Sequence, residues 1–232
     1  MTDVSRDEHK RRAAHHAARL VENGMFIGLG AGTTAEQFVR AVGERVAAGL
    51  VISCVASSER TASVAREVGL PLVEMTGPID LAVDGADAIE RGSLSAIKGL
   101  GGAHTREKLI ACAARQFVLV GDDGKLVPRL ADVLPAIPVP VEVLTFGWRM
   151  TRSRLSVLGE PVLRVRDAAP FKTDNGHYIL DLYQPDLSDP PRLGALIANI
   201  PGVVEHGLFL GMASLAVVSG GAGIEELWAT TP

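Results

Sequence analysis

The chain has 232 residues, 47% hydrophobic and 22% charged, enough for one large domain, or one domain with a smaller companion, around a buried core. A net charge of −4, only 4% aromatics and no basic block beyond Lys10-Arg11-Arg12 argue against nucleic acid as a partner. No apolar run is long enough to cross a bilayer, the start MTDVSRDEHKRR lacks a signal-peptide core, and Cys54 and Cys112 fit neither a disulfide framework nor a zinc spacing, so the expectation is a soluble, cytoplasmic protein.

Ser5-Arg6-Asp7-Glu8 reads as a capping box, opening a helix that runs to about Glu22 and stops at Asn23-Gly24. Met25 to Leu29 is a short apolar run ending in glycines, a buried strand. Thr33 to about Ala48 has apolar residues at helical spacing, Val51 to Val55 is a second strand, and Ser58 caps a helix through Val68. Ile79 to Val83 is a strand ending at Asp84-Gly85, Ala103 to Ala114 is helical, and Gln116 to Val120 is again a strand. This alternation points to an α/β fold with a parallel sheet covered on both faces.

After Asp123 the pattern changes and prolines cluster. Val139 to Val143, Val162 to Val165 and Tyr178 to Leu182 read as strands, with helices at Thr145 to Leu158 and Pro191 to Asn199. A small α+β domain is expected over 131–207, beside a main domain of 1–130 plus 208–232 to which Leu215 to Ser219 returns a strand.

Three stretches carry chemistry. Gly28-Leu29-Gly30-Ala31-Gly32-Thr33-Thr34 lies between a strand and a helix, where glycines let the backbone approach an anion and the helix start offers free amides. A dinucleotide site would want glycine at position 33 and an acidic residue after the second strand, and the Walker-type lysine is missing, so a monophosphate fits better than NAD or ATP. Asp84-Gly85-Ala86-Asp87 puts two carboxylates on one tight turn, where neighbours push their pKa values apart and one can hold a proton while the other accepts one. The same pattern also serves as an ordinary turn. Lys98-Gly99-Leu100-Gly101-Gly102 opens a loop whose lysine can meet an anion, and Glu107 follows in the first turn of a helix, where it could equally offset the dipole. The histidines are scattered and form no ligand set, and no Gly-x-Ser-x-Gly elbow occurs.

On these motifs, together with Pro138 to Val143, Thr173-Asp174-Asn175-Gly176 and Ile200 to Phe209, the chain resembles the A-type ribose-5-phosphate isomerase family over nearly its whole length. The resemblance implies a Rossmann-like α/β domain with a small α+β domain, and interconversion of ribose 5-phosphate and ribulose 5-phosphate through an enediolate in the pentose phosphate pathway. It implies Glu107 as the base between C1 and C2, Asp84 and Asp87 for ring opening and hydroxyl protons, and Lys98 for the charge on the enediolate oxygen. Substrate would be held by Ala31, Gly32, Thr33 and Thr34, by Asp84 to Asp87 including Gly85 and Ala86, by Lys98, Gly99, Leu100 and Gly101, and by Lys125, with Lys10 as a further candidate. No metal, no cofactor and a homodimer are also implied. Ala31 stands where the family commonly has a hydroxyl residue, Ala88 where it has glutamate, and Leu100 where it has glycine or arginine. Rivals are a sugar-phosphate sensor, which could do without Glu107 and Lys98, and an amino-sugar phosphate deaminase or CoA transferase, which would need a pocket histidine or a differently placed glutamate.

Overall fold

The computed structural model describes residues 3–230 except residue 134. In chain order its first half holds α1 (Asp3–Ala18), β1 (Phe26–Leu29), α2 (Thr33–Ala47), β2 (Ser53–Ala56), α3 (Glu59–Glu67), β3 (Ile79–Gly85), β4 (Ala88–Glu90), β5 (Ala96–Ile97), α4 (His104–Ala113), β6 (Ala114–Asp122) and β7 (Leu126–Val127). The second half holds β8 (Val139–Val143), α5 (Trp148–Leu155), β9 (Glu160–Leu163), β10 (Val165–Arg166), β11 (Ala169–Pro170), β12 (Tyr178–Tyr183), α6 (Pro190–Ala198), β13 (Val203–His206), β14 (Leu208–Phe209), β15 (Leu215–Gly220) and β16 (Gly223–Trp228).

The main sheet has the order β16-β15-β6-β3-β1-β2. Its pairs are parallel except the last hairpin, β15 with β16. Strand alternation sorts its side chains into two cores. Val118, Val120, Leu215 and Val217 face α1, α2 and α3, whereas Phe117, Leu119 and Ala216 face the other way, toward Ile110 and Ala111 of α4 and Phe209. The inner face of α1 is Ala13, Ala14, Ala17 and Ala18, small residues that let this helix lie close on its neighbours. The second face carries, besides α4, a short mixed sheet of order β14-β5-β4-β7. An antiparallel sheet of order β13-β8-β12-β9 packs with α5 and α6 around a third core that includes Val139, Val141, Val143, Leu180, Leu182, Leu155 and Ile197.

The α/β class, the parallel sheet and the return of β15 beside β6 match the sequence reading. The capping box does not. Helix α1 opens at Asp3, so Ser5 lies inside it, and Glu8 bonds forward to Arg11 at 2.9 Å; the Ser5 side chain lies outside the described residues. The helix also stops at Ala18, short of Glu22, because the Arg45 guanidinium takes the carbonyls of Ala18 and Val21. The expected helix Thr145 to Leu158 shrinks to Trp148–Leu155 behind a left-handed Gly147 at φ 70°. The expected strand Val162 to Val165 divides into β9 and the hairpin β10–β11, which turns through Asp167 and Ala168 at φ 51° and 62°. Such a turn is usually announced by Asn-Gly or Asp-Gly, and here no glycine marks it. The four strands of the mixed sheet have two or three residues each, too few for periodicity to reveal.

Candidate active site

The glycine turn after β1 and the acidic turn after β3 lie side by side because β1 and β3 are paired in register, Leu29 opposite Val83. The Asp84 carboxylate fills the space a side chain would need at position 30, since a Cβ on Gly30 would lie 2.2 Å from it. From there its Oδ1 accepts hydrogen bonds from the amides of Ala31, at 3.0 Å, and Gly85, at 2.7 Å. Gly32 then turns the chain at φ 91° into α2, and no side chain caps the helix. Its first amides, with the Thr33 and Thr34 hydroxyls, remain available to an anion.

Lys98 follows β5, whose place in the mixed sheet aims it at the same spot. Its Nζ lies 2.9 Å from Asp84 Oδ2 and 3.0 Å from Glu107 Oε2, and donates to the Gly85 carbonyl at 2.6 Å. All three side chains are buried, with Asp84 2%, Lys98 3% and Glu107 6% exposed. The Lys98–Glu107 contact is an ion pair by distance, but it lacks hydrogen-bond alignment, and among the described residues Glu107 Oε2 has no aligned hydrogen-bond donor.

One cation thus serves two carboxylates that are almost wholly buried. Burial first, and the neighbouring Asp84 next, push the Glu107 carboxyl up to about 8, against the pull of Lys98. Burial also raises Asp84, opposed by Lys98. For Lys98, burial works against the ammonium, but Asp84 and Glu107 outweigh it and hold its pKa above the ordinary value. The cluster is coupled, so it releases its protons as a unit. With Lys98 held charged, the cluster leaves Glu107 poised between acid and base near neutrality.

A cavity of about 150 Å³ opens onto this cluster. Ala31, Gly32, Thr33 and Thr34 form part of its wall; Gly85, Ala86 and Asp87 form another. Lys98, Gly99, Gly101 and Glu107 line it as well, and Lys125 and Lys10 bring two more cations. Two expected substrate contacts stand apart. Asp84 is not part of the lining, because Lys98 and two backbone amides occupy its oxygens. The Leu100 side chain is 44% exposed and also outside the lining, although its amide donates to Asp87 Oδ2 at 3.0 Å.

Sequence reasoning missed what supports these groups. Glu142 on β8 is wholly buried and accepts from Thr173 at 2.8 Å, Asn175 at 3.1 Å, His177 at 2.9 Å and the Thr105 hydroxyl, which ties down the first turn of α4 beside Glu107. Phe209 lies near two ammonium groups, Lys98 at 5.2 Å and Lys108 at 5.0 Å from its ring centre. Lys108 in turn pairs with Glu205 at 2.7 Å. His104 is fully buried, and burial pushes its imidazole down to about 3, so it is neutral. The motifs at 173–176 and 200–209 were visible, but their partners lie far away in sequence. Among the described residues, no three His, Cys, Asp or Glu side chains gather as metal ligands would. No helix there is long and apolar enough to cross a membrane.

A buried carboxylate poised near neutrality beside a fixed cation, in a pocket that also offers a bare helix start and further lysines, suits an aldose–ketose isomerase acting on sugar phosphates. Similarity to known proteins narrows that class. The family model described as ribose 5-phosphate isomerase A (phosphoriboisomerase A) matches residues 53–223. The ribose-5-phosphate isomerase A of Thermomicrobium roseum is 50% identical over 222 residues, covering 94% of this chain and 92% of its own. A ribose 5-phosphate isomerase A structure from Methanocaldococcus jannaschii superposes with a TM-score of 0.91 at 37% identity, covering 96% of this chain and 99% of that one. A D-ribose-5-phosphate isomerase solved with phospho-erythronic acid gives 0.90 at 35% identity, covering 96% and 99%. The chain belongs to the ribose-5-phosphate isomerase A family, and it is an isomerase that interconverts ribose 5-phosphate and ribulose 5-phosphate.

Proposed function

We propose that Glu107 is the base that carries the proton between C1 and C2, with Lys98 and Asp87 as its catalytic partners. Starting from the open aldose, Glu107 takes the proton on C2. The electrons of that bond form C1=C2, and the carbonyl pair moves to O1, whose charge meets the Lys98 ammonium. Asp87 carries the hydroxyl proton from O2 to O1. As the C2 carbonyl forms, Glu107 returns its proton to C1 and the ketose is left. Ring opening, which also moves a proton between oxygens, falls to Asp87 as well. Asp84, enclosed behind Lys98, acts as a positioning residue that keeps the ammonium charged and aimed.

The observation that carries this reading is the Lys98 Nζ held between Asp84 and Glu107 at the cavity wall. The phosphate is assigned to Gly32, Thr33 and Thr34 at the uncapped start of α2, with Lys125 and Lys10. The phospho-erythronic acid in the related structure fits such a site chemically. It joins a phosphate to a carboxylate, and a carboxylate spreads charge over two oxygens as an enediolate does.

The proposed division is a catalytic unit of 1–130 plus 208–232 and a smaller unit of 131–207, supported by the antiparallel sheet having all its strands between Val139 and His206. A homodimer is also proposed. Phe146, 92% exposed, together with exposed Met150 and Val157, gives the second half an apolar surface that burial against a second copy would relieve. The free cysteines, Cys54 and Cys112, suit a reducing cytoplasm. Light scattering on purified protein tests the dimer. For the mechanism, EDTA-treated protein is assayed for conversion of ribose 5-phosphate alongside Glu107→Gln. Activity that survives EDTA and falls by about 10²-fold or more in the variant supports Glu107 as the base of a reaction that needs no metal. Equal rates reject Glu107 as the base.

A further inference from the structure

The catalytic loop has little to hold it in place by its own means. Residues 99–102 join Lys98 to α4 without regular structure, and glycines at 99, 101 and 102 leave it entropically soft. Within it the Gly102 amide donates to the Gly99 carbonyl at 3.0 Å. Yet the Leu100 amide must meet Asp87, and the loop sets the distance from Lys98 to Glu107.

The missing restraint comes from the antiparallel sheet. Arg164 Nη1 donates to the Gly99 carbonyl at 2.8 Å and to the Leu100 carbonyl at 3.0 Å. The rest of its guanidinium is held by Asp181 of β12, with Nε on Oδ2 at 2.8 Å and Nη2 on Oδ1. Arg164 is also fixed through its backbone, its amide donating to Ile179 at 2.9 Å and its carbonyl accepting from the Phe171 amide at 2.9 Å. Phe171 closes the other end of the loop. Its ring lies against Gly102, where a Cβ would come within 2.5 Å of it. The base of the β10–β11 hairpin therefore grips the loop at Gly99, Leu100 and Gly102.

We infer that Arg164, fixed by Asp181, is a positioning residue for catalysis: it sets the loop that presents Leu100 N–H to Asp87 and holds Lys98 and Glu107 in register. A largely buried arginine–aspartate pair is a poor device for stability alone, because its desolvation cost roughly offsets its attraction. It is a good device for direction, since a guanidinium can serve a carboxylate and two carbonyls at fixed angles and a lysine cannot.

The inference rests on the catalytic roles proposed above, so Glu107→Gln is assayed in parallel. Arg164→Lys keeps the charge and loses the fork; kcat is expected to fall about tenfold or more, with KM changed less than about threefold, since the phosphate contacts are untouched. The double variant Arg164→Met with Asp181→Leu leaves no lone buried charge, so it is expected to melt near the wild-type temperature and still be about tenfold slower. In Arg164→Ala, added guanidinium is expected to restore part of kcat. A folded double variant with kcat within twofold of wild type overturns the inference, as does a loss of rate in Arg164→Lys that merely follows its folded fraction. An inactive Glu107→Gln beside a fully active double variant rejects the clamp alone, whereas an active Glu107→Gln rejects the catalytic reading beneath it.

Discussion

Two glutamates are buried near one another in this molecule and are treated in opposite ways. Glu142 receives hydrogen bonds from Thr105, Thr173, Asn175 and His177. Among the described residues, Glu107 receives a single unaligned contact from Lys98, and it lies near a second buried carboxylate. A carboxylate surrounded by donors is a fastener, because removing it strands them all. A carboxylate left short of donors is costly to ionise, and that cost makes it a base strong enough to take a proton from carbon.

The contrast is broken most directly by exchanging charge for amide at Glu107. Glu107→Gln is expected to lower kcat by about 10²–10⁴-fold. Its melting temperature should hold or rise, because Lys98 and Asp84 then form a balanced pair; calorimetry beside the rate assay reads both. Next in size, Lys98→Met is expected to cost about 10²–10³-fold in kcat, as removal of an oxyanion partner does. It should also destabilise the protein by leaving two carboxylates buried together. Glu142→Leu is expected to reverse the Glu107 pattern, costing on the order of 3 kcal/mol in urea unfolding, with the rate per folded molecule reduced far less. The smallest effect is expected at Lys125→Ala, which should raise KM several-fold at nearly constant kcat if this lysine meets the phosphate throughout the reaction.

The pH dependence of stability sharpens the same point. Glu107 is raised from 4.5 to about 8 on folding, so between those values the native state keeps a proton that the unfolded chain has released. Its contribution is therefore full below pH 4.5 and is lost as pH rises through 8. Relative to wild type, Glu107→Gln should gain stability over that window, and denaturant titrations at several pH values measure the gain. A constant difference would mean that Glu107 is not raised.

Much of the site was legible in the sequence because parallel sheets collect function at strand ends. Leu29 and Val83 each end an apolar run, and the glycine and acidic turns follow there, whereas Lys98 follows a two-residue strand of the mixed sheet that no periodicity marks. Each turn alone also had an ordinary structural reading, and it was their convergence that favoured chemistry. The division of labour proposed for Asp84 and Asp87 was not legible, since either could face the cavity until the amides of Ala31 and Gly85 are seen to claim Asp84. Nor were Arg164 and Phe171, whose partners at 99–102 are more than sixty residues away and joined only by tertiary packing, nor Asp181, which reaches the loop only through Arg164. The hairpin that carries Arg164 and Phe171 at its base turns through two non-glycine left-handed residues, so no local signal marked it.

The central claim is that a buried Lys98–Asp84–Glu107 cluster holds Glu107 poised as the carbon base. It is tested most directly by kcat/KM for ribose 5-phosphate as a function of pH, which reports the free enzyme. The expected profile rises tenfold per pH unit on the acid side and bends to a plateau near pH 8 as Glu107 loses its proton. A profile that is already flat from pH 6 upward, with its bend near the ordinary carboxylate value of about 4.3, would contradict it.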